Sequence, residues 1–287
     1  MPVQRGPRFS PQQIGIAAIS LVVVVVVVIV LVATTGGSNK PQEGPVGSRT
    51  AASPALVSET TSVPESVYQQ VGLPKELTNS PSKVKGESAL TKNGLPEMLY
   101  MGAEYCPYCA SERWPMIMAL SKFGTFSNLS NTFSSVSDFA PDTATWSFYK
   151  STYTSKYLVF QPFELATNQP AASGACQVSG YACLETDYTA AESNLLQKLG
   201  GGSFPFIDFG NKLMQSGSGY TDQPLVLAGL TAQEIASDLH NAKSPVAQAE
   251  DGSANYFTAA ICSMTGNQPS SVCSASYVKA AQKKAGV

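Results

Sequence analysis

The chain has 287 residues, which is long enough for one large domain or two small ones. Its formal net charge is -2, and a chain so close to neutrality carries no basic surface of the kind that binds nucleic acid. Charged residues make up 13% of the sequence, about half of the usual share in globular proteins. A surface that depends so little on ionised carboxylates would suit an acidic exterior.

An uninterrupted apolar segment lies near the N-terminus. Residues 14–33 contain no charge and include seven consecutive valines, and about 20 apolar residues at about 1.5 Å each span a bilayer. A cleaved secretory signal is the alternative, but its apolar region is shorter. We therefore predict an uncleaved transmembrane anchor at 14–33. Arg5 and Arg8 precede it without an acidic residue, so residues 1–13 are predicted to be cytoplasmic and the main domain extracytoplasmic.

The segment after the predicted anchor is rich in Gly, Ser, Thr and Pro. Residues 34–83 are predicted to form a flexible linker that holds the folded part away from the membrane, with a short helix near 67–77. A folded domain is predicted over residues 84–287. Within it we expect an insertion at about 125–188 and a C-terminal helical extension at 244–287.

The clearest chemical signal is the Cys-Pro-Tyr-Cys motif at residues 106–109. An apolar run before it predicts a strand over 95–103, and a helix is predicted after it, over 110–122. The first cysteine would then begin the helix, where free backbone N–H groups and the helix dipole stabilise a thiolate. The spacing allows the second thiol to close a disulfide with the first. We therefore predict that Cys106 is a nucleophile and Cys109 the resolving cysteine.

Two other interpretations of this spacing are an inert structural disulfide and half of a zinc site. A zinc site needs four ligands, and the chain offers a single histidine, His240, and no second CxxC motif. No metal is therefore predicted. No organic cofactor is predicted either, because the electrons of a thiol–disulfide reaction reside in the cysteine pair itself.

The cysteines of the chain form an even set of six, which indicates an oxidising compartment. Connectivity is not fixed by a sequence, but pairing of sequence neighbours is the simplest solution. It gives the disulfides Cys106–Cys109, Cys176–Cys183 and Cys262–Cys273. The last two pairs are predicted to be structural, and an electron relay from the first pair to the second is the alternative.

The remaining elements are taken from apolar periodicity and turn signals. Strands are predicted at 129–137, 146–150 and 156–163, with the last two forming a hairpin or lying side by side. Helices are predicted at 189–199, 231–242, 254–265 and 270–285. Between the first two helices, Phe204-Pro205 opens a strand that a Gly-Asn turn connects to the next one.

The order of elements resembles the thioredoxin fold over roughly residues 84–243. The residues that match are 103–109, which contain the two cysteines, and Phe204-Pro205 before the hairpin. The resemblance implies an α/β thioredoxin-like fold with an insertion and extra C-terminal helices, preceded here by the transmembrane helix. It also implies that Pro205 is cis and lies against the cysteines.

The same resemblance implies a substrate-binding role for four residues, Phe204, Pro205, Pro107 and Tyr108. The Pro-Tyr dipeptide between the cysteines is typical of glutaredoxins. More narrowly, residues 104–115, the valine-rich anchor and the low charge resemble an uncharacterised archaeal family of membrane-anchored proteins from thermoacidophiles, which is known as a domain of unknown function.

The chain departs from the thioredoxin pattern at two positions. Thioredoxins hold a buried aspartate six residues before the first cysteine, where this chain has Tyr100, and their helix proline falls one residue earlier than Pro115. The missing acid removes the usual proton acceptor for the buried cysteine. Glu97 and Glu104 are the nearby substitutes.

We expect a membrane-anchored, extracytoplasmic thiol-disulfide oxidoreductase or isomerase. Its predicted partners are exported cysteine-containing proteins, the membrane through the N-terminal helix, and a membrane redox protein. The alternative is a non-catalytic thioredoxin-like module with a locked disulfide that binds proteins at the cell surface. The missing acid and the extra helices motivate this alternative.

Overall fold

The computed structural model describes residues 49–287 except 75–76, 172–176, 179 and 221–222. These residues form a mixed α/β structure. The predicted anchor at 14–33 lies outside the described residues. Within them, no helix combines the length and the apolar character needed to cross a membrane.

The described residues contain strands and helices in successive groups along the chain. The strands are β1 (Thr50–Ala51), β2 (Ser82–Lys83), β3 (Thr91–Lys92), β4 (Leu95–Gly102), β5 (Gly124–Ser127), β6 (Ser130–Phe133), β7 (Ala144–Ser147), β8 (Thr152–Ser155), β9 (Val159–Glu164), β10 (Ala166–Pro170), β11 (Gln177–Val178), β12 (Tyr181–Cys183), β13 (Phe206–Phe209) and β14 (Leu213–Ser216). The helices are α1 (Pro54–Thr61), α2 (Glu65–Val71), α3 (Pro107–Leu120), α4 (Ala190–Gly200), α5 (Gln223–Val226), α6 (Ala232–Asp238), α7 (Pro245–Met264), α8 (Ser270–Cys273) and α9 (Ser276–Ala285).

A central sheet is organised around β4. This strand pairs in parallel with β9 on one side and antiparallel with β13 on the other, and β13 continues into a hairpin with β14. Gly102 at the end of β4 lies opposite Glu164, the last residue of β9, while Met101 lies opposite Phe206, the first residue of β13. The residues that follow β4 and β9 and those that precede β13 therefore meet at one edge of the sheet.

The two faces of this sheet bury different cores. Side chains alternate along β4, so Met98 and Tyr100 belong to the larger core, whereas Leu99 and Met101 belong to the smaller one. Helices α3 and α7 pack together on the larger core, and Leu196 of α4 lies in the smaller one. The sheet is covered by helices on both faces.

Helix α3 is enclosed on nearly every side. It packs against α1, α5, α7 and β7, and every one of its residues except Tyr108 is buried. Pro115 lies inside this helix without ending it. A helix buried on all sides presents only its ends to solvent.

The predicted flexible linker at 34–83 is wrong for the part that the structure describes. Helices α1 and α2 fold onto the domain and bury Leu56, Val67 and Tyr68 in the larger core. The ring of Tyr68 stacks on Tyr277 of α9, with centroids 5.8 Å apart. Composition does not predict these two helices, because they contain only a few apolar side chains among Ser, Thr and Pro. Those few side chains are enough to hold the helices on the domain, since helices distant in sequence cover them.

The predicted arrangement of the middle of the chain also needs correction. The strands expected at 146–150 and 156–163 do not form a hairpin, because β7 pairs with β6 while β9 joins β4. The predicted insertion at 125–188 therefore contains a strand of the central sheet. The other strands of that range form small sheets beside it.

The C-terminal residues 244–287 are an integral part of the core and not an appendage. Instead of a helix beginning near residue 254, the structure has α7 from Pro245, capped by the Ser244 hydroxyl, which accepts the N–H of Ala247 at 2.9 Å. A disulfide joins Cys262 of α7 to Cys273 of α8, and both cysteines are buried.

Candidate active site

Cys106 is the N-cap residue of α3. Its backbone is extended (φ -78°, ψ 120°), Pro107 occupies the first turn, and the N–H of Cys109 donates to the Cys106 sulfur at 3.3 Å. Proline is favoured at that position because the first helical N–H groups have no partner within the helix. The helix therefore directs both a free N–H group and its positive dipole end at one sulfur.

The two cysteines are free thiols in this structure. The Cys106–Cys109 disulfide of our prediction is therefore not formed, and a hydrogen bond joins the two sulfurs instead. A thiol–disulfide pair alternates between these two states, so the structure represents the reduced one. Cys106 is 7% exposed and Cys109 is fully buried, so only a small part of the nucleophile reaches the surface.

The environment separates the acidities of the two thiols. The hydrogen bond that the Cys109 thiol donates lowers the pKa of Cys106 against the opposing effect of burial, and the Cys109 N–H and the Arg113 charge lower it further. Burial raises the pKa of Cys109 well above its ordinary value, and the Cys106 sulfur adds to this. The first cysteine is thus the more acidic thiol, and the second holds its proton more strongly.

Pro205 lies at the same edge of the sheet as the cysteines. The peptide bond between Phe204 and Pro205 is cis, as the thioredoxin resemblance implies. Pro205 is buried, and its carbonyl accepts the N–H of Gly217 at 2.8 Å. Phe204 is half-buried and packs on the smaller core.

An aromatic surface surrounds the beginning of α3. Tyr108 lies against Phe139 with ring centroids 5.4 Å apart, and Tyr105 stacks on Tyr181 at 4.2 Å. The segment of Phe139 also exposes Val136, and the two side chains are 52% and 51% exposed. We call Tyr108, Val136 and Phe139 the apolar rim. Val136 and Phe139 were not predicted to belong to the site, since nothing in their local sequence pattern connects them to the cysteines.

A buried ion pair lies behind the cysteines, and we did not predict it. Arg113 is four residues after Cys109 on α3, and its Nε and Nη2 donate to the Glu164 carboxylate at 2.8 and 2.7 Å. Both side chains are fully buried. The available signal was the pair of adjacent charged residues Glu112 and Arg113 within a mostly apolar helix, because a buried arginine requires an acidic partner.

The two acids proposed as substitutes for the missing aspartate occupy other positions. Glu97 is near the start of β4, five residues before Gly102, which corresponds to roughly 16 Å along the strand. It therefore lies far from the cysteines. Glu104 is buried, but its carboxylate accepts two hydrogen bonds from Arg49, at 2.8 and 2.9 Å, and one from Ser147 at 2.6 Å.

The other cysteines lie apart from this pair in the chain. Cys183 is disulfide-bonded, and its predicted partner Cys176 lies outside the described residues. Within those residues, no group of three or more His, Cys, Asp or Glu side chains is arranged to hold a metal ion.

The fold and the site define an α/β protein with a cysteine pair at the N-terminus of its central helix. The family model described as a domain of unknown function, DUF929, matches residues 81–263, and the chain belongs to this family. The match contains the cysteine pair, Arg113, Glu164 and Pro205. No curated protein and no solved structure matches the chain.

Proposed function

We propose that the protein is a thiol-disulfide oxidoreductase with a thioredoxin-like core. The observation that carries the proposal is the pair of free thiols at the start of α3, one with a lowered pKa and one with a raised pKa. An inert structural cysteine pair has no need of an N-capping sulfur next to a buried proton donor. A nucleophile and a resolving thiol need both.

The topology supports the same proposal. A strand, a helix and a parallel strand (β4, α3 and β9) are followed by an antiparallel hairpin (β13 and β14) on the other side of β4. This connectivity resembles that of the thioredoxin core, with the cysteines after the central strand and the cis proline before the hairpin. The placement of α3 and α4 on opposite faces of the sheet also supports the proposed fold.

The reaction needs no group other than the two sulfurs. The Cys106 thiolate attacks a substrate disulfide, forms a mixed disulfide and releases one substrate thiolate, which takes up a proton. Cys109 then loses its proton, attacks the Cys106 sulfur and releases the second substrate thiolate. The substrate gains two electrons, and the enzyme is left as the Cys106–Cys109 disulfide. The reverse sequence oxidises a substrate dithiol.

Exported proteins are the proposed substrates. The support is the predicted anchor, the even number of cysteines, and the disulfides at Cys183 and Cys262–Cys273, which persist in an oxidising compartment. The apolar rim beside the site would contact unfolded polypeptide next to the reacting cysteine.

The test is turnover in both directions, measured as reduction of insulin and as oxidation of a reduced, unfolded disulfide protein. We expect the wild type to turn over at least one substrate, Cys106→Ser to be inactive, and Cys109→Ser to accumulate a mixed disulfide. The double variant Cys262→Ser/Cys273→Ser is the matched control, which removes another cysteine pair. An inactive wild type, or a Cys106→Ser variant as active as the wild type, would reject the enzyme in favour of a binding module.

A further inference from the structure

The buried ion pair is connected to both cysteines through one residue. The carbonyl of Ala103 accepts Nη2 of Arg113 at 2.8 Å and also the N–H of Cys106 at 3.2 Å. The N–H of Ala103 donates to the Cys109 sulfur. Arg113 therefore fixes the turn that carries Cys106 into the helix, in addition to pairing with Glu164.

One part of the guanidinium is left without a partner. Nη1 of Arg113 is buried, and within the described residues it makes no hydrogen bond. Such an orphaned donor is costly, and in native proteins it usually has a role. Because residues four apart on a helix are neighbours, Arg113 and Cys109 lie on the same side of α3. An anion on Cys109 would be adjacent to this cation.

The hydroxyl of Tyr100 belongs to the same buried layer. It too makes no hydrogen bond within the described residues, and the ring lies 5.9 Å from the Arg113 guanidinium carbon. Tyr100 extends along β4 over Gly102, where an added Cβ would be only 2.1 Å from the hydroxyl oxygen. The tyrosine thus replaces the thioredoxin aspartate with a neutral group, next to an arginine.

We propose that Arg113, held in place by Glu164, is a positioning residue that stabilises the Cys109 thiolate during the resolving step. Thioredoxins use a buried acid to accept the proton of this cysteine. Here a buried cation favours the anion directly, and the proton leaves to solvent. Arginine suits this role because it stays protonated when buried. Its Nε and Nη2 groups bind the Glu164 carboxylate, which fixes the orientation of the guanidinium.

Arg113 lowers the pKa of Cys109, opposing the larger effect of burial.

The other charged groups near Arg113 and Cys109 have partners within the fold. Glu104 faces the layer but is paired with Arg49, and Glu185 accepts the N–H of Glu164 at 2.6 Å. Removal of the charge of Arg113 or of Glu164 should therefore change the pKa of the resolving thiol, Cys109.

The proposal rests on the proposed function, and one reaction tests the two separately. The reduced protein is mixed with 5,5′-dithiobis(2-nitrobenzoate). This reagent forms a mixed disulfide with the first cysteine and then accepts two electrons as the cysteine pair is oxidised. The first thionitrobenzoate reports attack by Cys106, and the second reports attack by Cys109 on the mixed disulfide. The rate of the second phase is measured against pH by stopped-flow absorbance, with Cys109→Ser to identify that phase.

We expect Arg113→Met to raise the apparent pKa of the second phase by about one unit, since an adjacent opposite charge shifts a pKa by roughly 1–3 units. At a pH below that pKa, the second phase becomes about tenfold slower. Glu164→Gln leaves the cation uncompensated and shifts the pKa in the opposite direction. Arg113→Lys retains the charge without the fork and gives an intermediate value. Lys198→Gln, which breaks an ion pair with Glu87 at the surface, is the matched control and leaves the profile in place.

A purely structural role would change stability without opposite shifts in this pH profile. The inference is wrong if Glu164→Gln and the wild type have the same pH profile for the second phase, or if Arg113→Met and Glu164→Gln shift its apparent pKa in the same direction. Release of thionitrobenzoate in two phases would still support the proposed function in either case. If Arg113→Met does not fold, Glu164→Gln and Arg113→Lys decide between the same outcomes. Release of a single thionitrobenzoate by the wild type would reject the redox pair itself.

Discussion

Glu112 gives the sharpest prediction about stability. It lies on α3, fully buried, and the N–H of Gly219 donates to its carboxylate at 2.7 Å. Burial raises the pKa of Glu112 from 4.5 to about 8, although hydrogen bonds from Gly219, Ser218 and Gln215 oppose this. The folded protein therefore retains a proton on this side chain over a wide pH range in which the unfolded chain has lost it.

The sign of the effect follows from proton linkage. Above pH 4.5 the unfolded state binds fewer protons than the folded state, so the free energy of unfolding falls as pH rises towards about 8. The contribution is fully present below the unfolded pKa and is lost through the folded pKa. Since one pKa unit corresponds to about 1.4 kcal/mol, the rise from 4.5 to about 8 corresponds to about 5 kcal/mol.

The perturbation is Glu112→Gln, which keeps the shape and the acceptor for Gly219 but does not titrate. Urea unfolding at pH values between 4 and 9 should give similar stabilities for variant and wild type at pH 4. At pH 9 the variant should be the more stable by several kcal/mol. Asp187→Asn, which changes an exposed carboxylate, is the control. A difference between Glu112→Gln and wild type that stays constant across this range would refute the reasoning.

Two further predictions concern the surroundings of the cysteines. Gly102→Ala should lower the free energy of unfolding by about 1–3 kcal/mol in urea titrations, because the added methyl group displaces the fully buried Tyr100; unchanged stability would contradict the packing. Phe139→Ser should raise the KM for an unfolded protein substrate several-fold, because it removes part of the apolar rim against Tyr108. Val287→Ser, which changes a 40% exposed side chain beside Lys212 at the other end of the hairpin, should leave that KM unchanged.

Local sequence signals predicted the parts of the site that depend on neighbouring residues. The helix after Cys106 follows from an N-capping side chain with proline next to it, and both signals are adjacent in sequence. The predicted helix at 231–242 begins with a signal of the same kind, because Thr231 and Glu234 form a capping box at the start of α6. These features need no distant partner, so a single sequence contains all the information about them.

The parts that could not be predicted depend on contacts between distant residues. Arg113 and Glu164 are 51 residues apart, and neither has a local pattern that identifies the other. Strand β9 looked like half of a hairpin because its aromatic and branched residues suit any sheet position. Tyr100 was noticed only as the absence of an acid, because its relation to Arg113 depends on the packing of α3 on β4.

Because α3 is enclosed, the redox preference of the cysteine pair can be measured without a substrate. A helix buried on nearly every side exposes its backbone amides only when the whole domain opens, so their hydrogen exchange in heavy water reports the global free energy of unfolding. The same measurement can be made on the dithiol and on the disulfide form.

A thermodynamic cycle converts the difference between the two forms into a potential. Relative to the unfolded chain, the folded chain favours whichever form, dithiol or disulfide, has the larger free energy of unfolding. A difference of about 1.4 kcal/mol between the two free energies corresponds to a change of about 30 mV in the reduction potential. Slower exchange of the dithiol form would identify an oxidant of other proteins, and slower exchange of the disulfide form would identify a reductant. Isotope exchange in the central helix thus gives the direction of electron flow.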